Sequence, residues 1–262
     1  MKDLVAARER FAPSPRVHVV VRKEDIDQSR LAGSVVFVID VLFATTTIVT
    51  ALRAGATAVF PAEDQHEARR IAATMDGPFH IAGEDHLAAI DGFASTLPLE
   101  LTRSEDFAGK PLIYSTTNGT VALRHSRGAD AVYATALVNA QATLDHALAS
   151  HPGKPLVIVC AGSAGALNLE DFIAAGCLVD KLAGRFDPRR DLSDTALAAW
   201  ATYRASDTSS AIAASRIGRI VCGVGSEHEV RHSATIDCID LVALLDGERI
   251  VSQPALAGAP HS

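Results

Sequence analysis

The chain has 262 residues, of which 48% are hydrophobic and 21% are charged, and its formal net charge is −7. This composition is that of an ordinary globular protein with a substantial core. The acidic balance and the lack of a long basic run argue against nucleic acid as a partner. No stretch reaches about 18 uninterrupted apolar residues, and residues 1–10 lack the apolar core of a signal peptide. We therefore expect a cytoplasmic protein with no membrane partner.

Short apolar runs alternate along the chain with segments of helical pattern. The runs predict strands at residues 17–21, 35–39, 58–60, 79–82, 112–115, 131–135 and 156–160. The intervening segments predict helices at residues 46–54, 63–75, 119–127, 138–150 and 169–184. This alternation predicts an α/β fold, with a largely parallel or mixed β-sheet flanked by helices in three αβα layers.

The last third of the chain has a different pattern. It predicts helices at residues 194–205 and 207–217 and a late strand at 235–239. Residues 35–55 and 156–176 share a strand–loop–helix plan, which indicates either two related halves or only the pattern common to all βα units. We predict a first lobe at 17–150, a second lobe at 151–245 and loose termini at 1–16 and 253–262. The alanine-rich helices of the second lobe suit either a homodimer interface or a cover for the sheet.

A polar cluster follows the predicted strand at residues 35–39. Asp40 ends this strand, and Thr45, Thr46 and Thr47 open the next helix. Open α/β sheets bind ligands beyond the carboxyl ends of their strands. A helix N-terminus with free N–H groups and hydroxyls suits a phosphate, and a carboxylate suits a hard cation such as Mg²⁺.

Further polar clusters follow other predicted strands. Each has an ordinary explanation as a helix cap, a turn or a solvated loop. If the strands run parallel, however, these residues gather at one edge of the sheet, and their convergence favours a site for Mg²⁺ and an oxyanion. The residues are Glu84, Thr116, Thr117, Asn118, Asn139, Glu170 and Asp171.

One motif predicts a competing enzyme class. Residues 161–165 follow a strand and nearly match the G-x-S-x-G nucleophile elbow, with Ser163 as the nucleophile. Asp194 or Asp207, and then His228 or His232, come later in the order of an α/β-hydrolase. Alanine replaces the first glycine, and the chain has no H-G-G-G segment. A small-residue turn that packs a helix on a sheet is the simpler interpretation.

Taken together, the polar clusters resemble the 2-phosphosulfolactate phosphatase (ComB) family. The resemblance covers most of the chain, from about residue 17 to residue 240. It implies a Mg²⁺-dependent phosphoric monoester hydrolase that acts on a small phosphorylated acid, with release of phosphate from 2-phosphosulfolactate as the named reaction. The segments that match, in family order, are 38–42 with 44–48, 83–84, 92–93, 116–120, 137–140, 160–162, 169–171 and 175–176.

The matched positions supply candidate roles, which we assign from their chemistry. The catalytic candidates are Asp40, Glu84 and Asp171. The metal candidates are Asp40, Glu84, Glu170 and Asp171. The phosphate-binding candidates are Thr45, Thr46, Thr47, Thr116, Thr117, Asn118 and Asn139. A water activated by a carboxylate and a side-chain nucleophile such as Asp40 both stay open as the attacking group.

Two positions depart from the family pattern. Phe43 stands where the first motif usually carries arginine, and residues 94–98 replace a Gly-Asn-Ser-Pro-like segment. Arginine would supply a full charge and five donors for an anionic substrate. We therefore expect either a related, less anionic phosphomonoester as the substrate, or a catalytically weakened member that binds a phosphorylated metabolite.

Overall fold

The computed structural model describes residues 16–188 and 191–254. Its ten strands are β1 (Val17–Val20), β2 (Val35–Ile39), β3 (Val59–Ala62), β4 (His80–Asp85), β5 (Ala88–Ala89), β6 (Leu112–Ser115), β7 (Ala131–Thr135), β8 (Leu156–Cys160), β9 (Val242–Asp246) and β10 (Arg249–Gln253). Its ten α-helices are α1 (Ala44–Arg53), α2 (Gln65–Ala72), α3 (Pro98–Leu101), α4 (Gly119–His125), α5 (Ala140–Ser150), α6 (Leu169–Lys181), α7 (Asp194–Ala205), α8 (Thr208–Ala214), α9 (Arg216–Gly223) and α10 (Glu227–Ser233).

The strands form one mixed sheet in the order β1-β8-β2-β7-β9-β10-β3-β6-β4-β5. Strands β1, β8, β2 and β7 pair in parallel, as do β3, β6 and β4. Between these two groups lies the hairpin β9–β10, which pairs antiparallel with β7 on one side and with β3 on the other. The two parallel groups therefore run in opposite directions within one sheet.

The core lies on both faces of this sheet. Every residue of β2 is buried, and alternate side chains belong to different core clusters. Phe37 packs on one face, where its ring stacks on Tyr133 at 5.6 Å between centroids, and Val36 and Val38 pack on the other. Successive side chains of a strand point to opposite faces, so an apolar run covered on both sides requires helices in two layers. The predicted three-layer α/β fold is confirmed.

The long apolar runs were predicted well, and the late strand was not. Strands β2, β6, β7 and β8 have the predicted bounds. The strand predicted at residues 235–239 is wrong, because that segment has no strand and the chain pairs later, as β9 and β10. A two-residue connection joins these strands, and its Gly247 has φ 59°. Glycine is favoured at the first position of a two-residue hairpin loop because it accepts positive φ.

The helix predicted at residues 207–217 is divided into two. Asp207 caps α8 through the N–H of Ser210, and the helix ends before Ser215. Ser215 has extended backbone angles, and its hydroxyl accepts a hydrogen bond from the N–H of Gly218 in α9. A serine in this conformation caps a new helix and does not continue the old one. The break turns α9 into a separate element.

The two predicted lobes share the single sheet. Strand β8, from the predicted second lobe, lies between β1 and β2 of the first. Whether the lobes are separate units stays a prediction. The termini predicted to be loose fall almost wholly outside the described residues, at 1–15 and 255–262, but Gln253 is the last residue of β10.

The alanine-rich helix α7 packs within the chain, against α6. Ala196 and Ala199 are fully buried, and a Cβ added to Gly176 would lie 2.1 Å from the carbonyl oxygen of Ala199. Glycine is thus needed for the two helix backbones to approach this closely. Across residues 16–188 and 191–254, we find no helix that is both long enough and apolar enough to cross a bilayer.

Candidate active site

A cavity of about 240 Å³ is lined by residues that follow β2, β6 and β8, by the β4–β5 hairpin and by α9. Sites for drug-sized ligands measure roughly 300–1,000 Å³, so this volume suits a small metabolite. We name two parts of its lining. The polar side consists of Asp40, Glu84, Thr116 and Asn118. The apolar side consists of Leu87, Ile217, Ile220, Val221 and Val224.

The polar side joins the two parallel groups of strands. We expected its residues to meet because parallel strands end at one edge, but that reason is wrong, since β2 and β6 run in opposite directions. They meet because α4 begins against the end of β2. A Cβ added to Gly119 would lie 2.6 Å from Asp40 Oδ2 and 2.4 Å from the Cβ of Ala44. Gly119 is therefore needed for this close approach.

Asp40 is the buried carboxylate of the polar side, with 6% of its surface exposed. Burial and the negative charge of Glu84 raise the pKa of Asp40 from 3.8 to about 7, and Glu170 adds to this rise. The backbone N–H groups of Ala44 and Gly119 oppose the rise. Asp40 therefore titrates near neutral pH, where a carboxyl group can both accept and release a proton.

Glu170 and Asp171 lie buried in the first turn of α6. Asp171 accepts hydrogen bonds from the N–H groups of Val41, at 2.9 Å, and Gly162, at 3.2 Å. Burial, followed by the charges of Asp40 and Glu170, raises the pKa of Asp171. Burial also raises the pKa of Glu170, whose Oε1 is buried without a hydrogen-bond partner. Asp171 thus fixes the segments that follow β2 and β8, while Glu170 keeps a free oxygen.

Glu84 ties the β4–β5 hairpin to the segment that follows β6. Its Oε1 accepts the N–H of Thr117 at 2.7 Å, and its Oε2 accepts the N–H of Leu87 at 2.5 Å. The Thr117 hydroxyl also lies 3.2 Å from Oε2 and accepts the N–H of His86. Glu84 therefore holds the polar side and the apolar side of the cavity in a fixed relation.

The hydroxyls of the three threonines in α1 are bound to backbone groups. Thr45 Oγ1 exchanges hydrogen bonds with the N–H and the carbonyl of Asp40. Thr46 donates to the carbonyl of Val41, and Thr47 donates to that of Thr96. All three threonines are fully buried, and the cavity lining does not include them. They fasten the turn after Asp40, and their predicted contact with phosphate stays a prediction.

Of the other phosphate candidates, Thr116 and Asn118 line the cavity and Asn139 does not. Asn118 Oδ1 accepts a hydrogen bond at 2.8 Å from the ammonium of Lys23, which brings a positive charge to the polar side. Asn139 is fully buried; it accepts the N–H of Ala136 and donates to Thr143 Oγ1 at 2.9 Å. The bonds of Asn139 thus stabilise the start of α5.

The structure gives no support to a serine hydrolase. Ser163 lines the cavity, but its hydroxyl accepts a hydrogen bond from Arg216 Nη2 at 2.7 Å. His232, a candidate base, is hydrogen-bonded instead to Thr50 Oγ1 at 3.0 Å, and Asp207 caps α8. A serine nucleophile needs a base within hydrogen-bond reach. In the part of the chain that the structure describes, no hydrogen bond links Ser163 to a histidine.

The donor set suits a hard divalent cation. Within residues 16–188 and 191–254, no group of three or more acidic, histidine or cysteine side chains forms a metal cage. Magnesium rarely needs one, because it is usually held by one or two carboxylates together with water and substrate phosphate. The partnerless oxygen of Glu170 and the mutual repulsion of the buried carboxylates are both features that a bound cation would relieve.

The sequence did not single out three parts of this site. Lys23 lies in a short 3₁₀ turn after β1, 95 positions from its partner Asn118. Arg216 lies 53 positions from Ser163. The apolar side belongs mainly to α9, of which the helix predicted at residues 207–217 includes only the first two residues. Charged residues in loops and valines or isoleucines in helices are too common to signal a site without their tertiary contacts.

The comparisons with known proteins point to one family. A family model described as 2-phosphosulpholactate phosphatase matches residues 20–248. A protein of Symbiobacterium thermophilum named as a probable 2-phosphosulfolactate phosphatase is 40% identical over 179 residues, 68% of this chain and 75% of that protein. Proteins of the same name from Clostridium perfringens and Carboxydothermus hydrogenoformans are 32% and 31% identical, over 87% and 84% of this chain and 92% and 91% of theirs.

These matches confirm the resemblance and the predicted enzyme class, since the shared name denotes a phosphoric monoester hydrolase. Apart from the first three residues of β1, the family match also includes both parallel groups of strands, and it includes every residue of the polar side. The chain therefore belongs to the 2-phosphosulpholactate phosphatase family.

Proposed function

We propose that this protein hydrolyses a small phosphomonoester, 2-phosphosulfolactate or a related compound, in a reaction centred on Asp40. The observation that carries the proposal is the buried carboxylate of Asp40 at the cavity, with a pKa raised to about 7 by burial and by Glu84. A general base is most effective when its pKa lies near the working pH. The family membership and the names of the relatives support the same reaction class.

In the proposed reaction, Asp40 takes a proton from water as the water oxygen attacks phosphorus. The bond from phosphorus to the ester oxygen breaks, the leaving oxygen takes up a proton from solvent water, and Asp40 returns its proton to solvent, so that the protons balance over one turnover. Asp171 acts as a positioning residue, because its carboxylate holds the N–H of Val41, next to Asp40. Thr116, Asn118 and the ammonium of Lys23 would hold the phosphate oxygens.

We also propose Mg²⁺ as the cofactor. Glu84 and Glu170, whose negative charges raise the pKa of Asp40, are the two carboxylates that would hold it with water and the substrate phosphate, while Asp40, a third predicted ligand, acts as the base. When bound, it would neutralise negative charge on the transferring phosphoryl group. Asp171, a fourth predicted ligand, neither lines the cavity nor keeps a free oxygen, because each of its two oxygens accepts a backbone N–H group, and we assign it to positioning.

The test is phosphate release from a panel of small phosphomonoesters that includes 2-phosphosulfolactate and 2-phospholactate, with Mg²⁺ and with EDTA. We expect release that needs Mg²⁺ and is lost in Asp40→Asn. Asp76→Asn is the matched control, because Asp76 is an exposed aspartate outside the cavity lining. No release by folded wild-type protein would overturn the proposal and favour the catalytically weakened member that binds a phosphorylated metabolite.

A second measurement separates the two possible roles of Asp40. Wild-type protein is mixed with substrate and quenched in acid during turnover, and the mass of the protein and of its peptides is then measured by mass spectrometry. We expect no covalent adduct. A mass increase of one phosphoryl group on the peptide that contains Asp40 would show that Asp40 is the nucleophile and would contradict the general-base role.

A further inference from the structure

The apolar side of the cavity has no role in the proposed chemistry. Its members are large aliphatic side chains, and three of them are well exposed: Leu87 at 57%, Ile220 at 44% and Val224 at 75%. Ile217 and Val221 are buried behind them, at 3% and 7%. Isolated exposed aliphatic residues are ordinary, but a cluster that lines one cavity beside polar groups indicates a binding surface.

Helix α9 supplies most of this surface through its spacing. Ile220 and Val221 lie three and four positions after Ile217, so the three residues share one face of the helix, and Val224 directly follows the last residue of α9. Arg219 lies outside the cavity lining and is exposed. The face is therefore directed at the cavity as a unit.

The β4–β5 hairpin supplies the remaining member. His86 and Leu87 occupy its tip with φ of 51° and 68°, a backbone region that favours glycine. The hydrogen bond from the Leu87 N–H to Glu84 Oε2 helps to hold this conformation. The aliphatic side chain of Leu87 thus borders the cavity directly beside a carboxylate of the polar side. Aliphatic and polar contacts are available to the two ends of one small molecule.

We propose that the apolar side binds the carbon skeleton of the substrate, and that the substrate is a phosphomonoester carrying an aliphatic chain of several carbons. The inference rests on the proposed function, because it assigns the phosphate end to the polar side. The proposal specifies an aliphatic group because the five side chains of the apolar side carry neither a charge nor a hydrogen-bonding group, and the guanidinium of Arg216 at the start of α9 is bound to Ser163.

Binding of alkylphosphonates tests the inference without turnover. Calorimetric titration would compare the series from methylphosphonate to hexylphosphonate, all with the same anionic head. We expect the affinity of the wild-type protein to rise about fourfold with each added methylene, the equivalent of about 0.8 kcal/mol. In Ile220→Ser and Val224→Ser we expect the affinity for methylphosphonate to be kept and the dependence on chain length to become weaker. Arg219→Ser places the same serine on the same helix outside the cavity, and we expect it to keep the wild-type dependence.

Each outcome has a distinct meaning. An affinity that does not change with chain length in the wild-type protein would overturn the inference. A dimer that dissociates in Ile220→Ser, together with a flat dependence, would make the apolar side an interface between two copies of the chain. Binding that strengthens with chain length, in a protein that releases phosphate from no ester, would support the inference and overturn the proposed function instead.

Discussion

The two sides of the cavity are built differently. The polar side rests on the sheet: Asp40 follows β2 directly, Thr116 and Asn118 follow β6, and Glu84 belongs to β4. The apolar side rests on α9 and on the tip of a hairpin, and much of its surface is exposed. Groups that do chemistry need fixed positions, whereas groups that contact a carbon skeleton can be exchanged on the same scaffold. The comparison predicts that catalysis depends on the first side and selectivity on the second.

The largest expected effect comes from exchanging one residue on each side. Asp40→Asn should lower kcat about 10²–10⁴-fold, the usual contribution of a general base. Ile220→Ser should leave kcat nearly unchanged and raise KM for an ester with an aliphatic chain by roughly tenfold, since it removes contacts made equally in the ground state and the transition state. Steady-state kinetics on one hexyl ester would check both. Equal losses of kcat in the two variants would contradict the assignment of catalysis to the polar side and of selectivity to the apolar side.

Asp40 should also make stability depend on pH. Its pKa is raised from 3.8 to about 7 in the folded protein, so the folded state holds this proton more tightly than the unfolded state. The contribution of Asp40 to stability is therefore complete below about pH 4 and is lost as the pH rises through about 7, on the order of 4 kcal/mol in all. Asp40→Asn cannot titrate, so its free energy of unfolding should fall less over this range.

Urea unfolding of the wild-type protein and of Asp40→Asn in EDTA, at several pH values between 4 and 8, would measure the difference. Asp171 and Glu170 titrate in both proteins, but the charge of Asp40 also raises the pKa of Asp171, so the difference reports Asp40 together with its coupling to Asp171. Curves that stay parallel over the whole range would show that the carboxylate of Asp40 is not destabilised by its surroundings.

Gly119→Ala should damage the polar side through its packing. The added Cβ would meet Asp40 Oδ2 at 2.6 Å and the Cβ of Ala44 at 2.4 Å, so α4 or the turn after β2 must move. Overpacking of this kind costs about 1–3 kcal/mol, and the displacement of Asp40 should also lower kcat. Gly223→Ala is the matched control, because its new Cβ would meet no atom within 4 Å. Thermal unfolding and kcat of both variants are the measurements, and equal effects would contradict the predicted role of Gly119.

The parts that sequence predicted well are those with a local cause. The run at residues 35–39 is apolar at every position, so it indicates a strand covered on both faces, and Asp40 marks its end. The missed hairpin β9–β10 has the weaker pattern of strands with partly exposed residues, such as Leu244 and Val251. Because this hairpin lies between the two parallel groups, the strands of one group run opposite to those of the other. No local sequence pattern specifies this relative direction.

The same limit applies within the candidate site. Sequence identified the threonines after Asp40, but a threonine at a helix start can bind a ligand or a backbone carbonyl, and only the structure shows that Thr46 and Thr47 do the latter. The contact of Lys23 with Asn118 and that of Arg216 with Ser163 join distant segments. Such contacts follow from strand order and helix packing, which are tertiary properties.

The smallest expected effect concerns the edge of the cavity that Leu97 forms. Glu229 in α10 is fully buried, and its carboxylate accepts the N–H groups of Leu99 and Glu100, both at 2.9 Å, at the start of α3. Glu229→Gln keeps one acceptor but turns an amide N–H group toward the other donor, at a cost of about 1–3 kcal/mol. For a chain of this size, that should lower Tm by several degrees.

Glu227→Gln is the control, since Glu227 is an exposed residue of the same helix. Leu97, which lines the cavity, directly precedes α3, so the loss of these bonds should loosen one edge of the cavity while Asp40 stays in place. We therefore expect Glu229→Gln to weaken the binding of hexylphosphonate by a few-fold and to leave kcat unchanged. If kcat fell instead, α10 would support the polar side as well, because a change confined to the edge of the cavity at Leu97 does not reach the transition state.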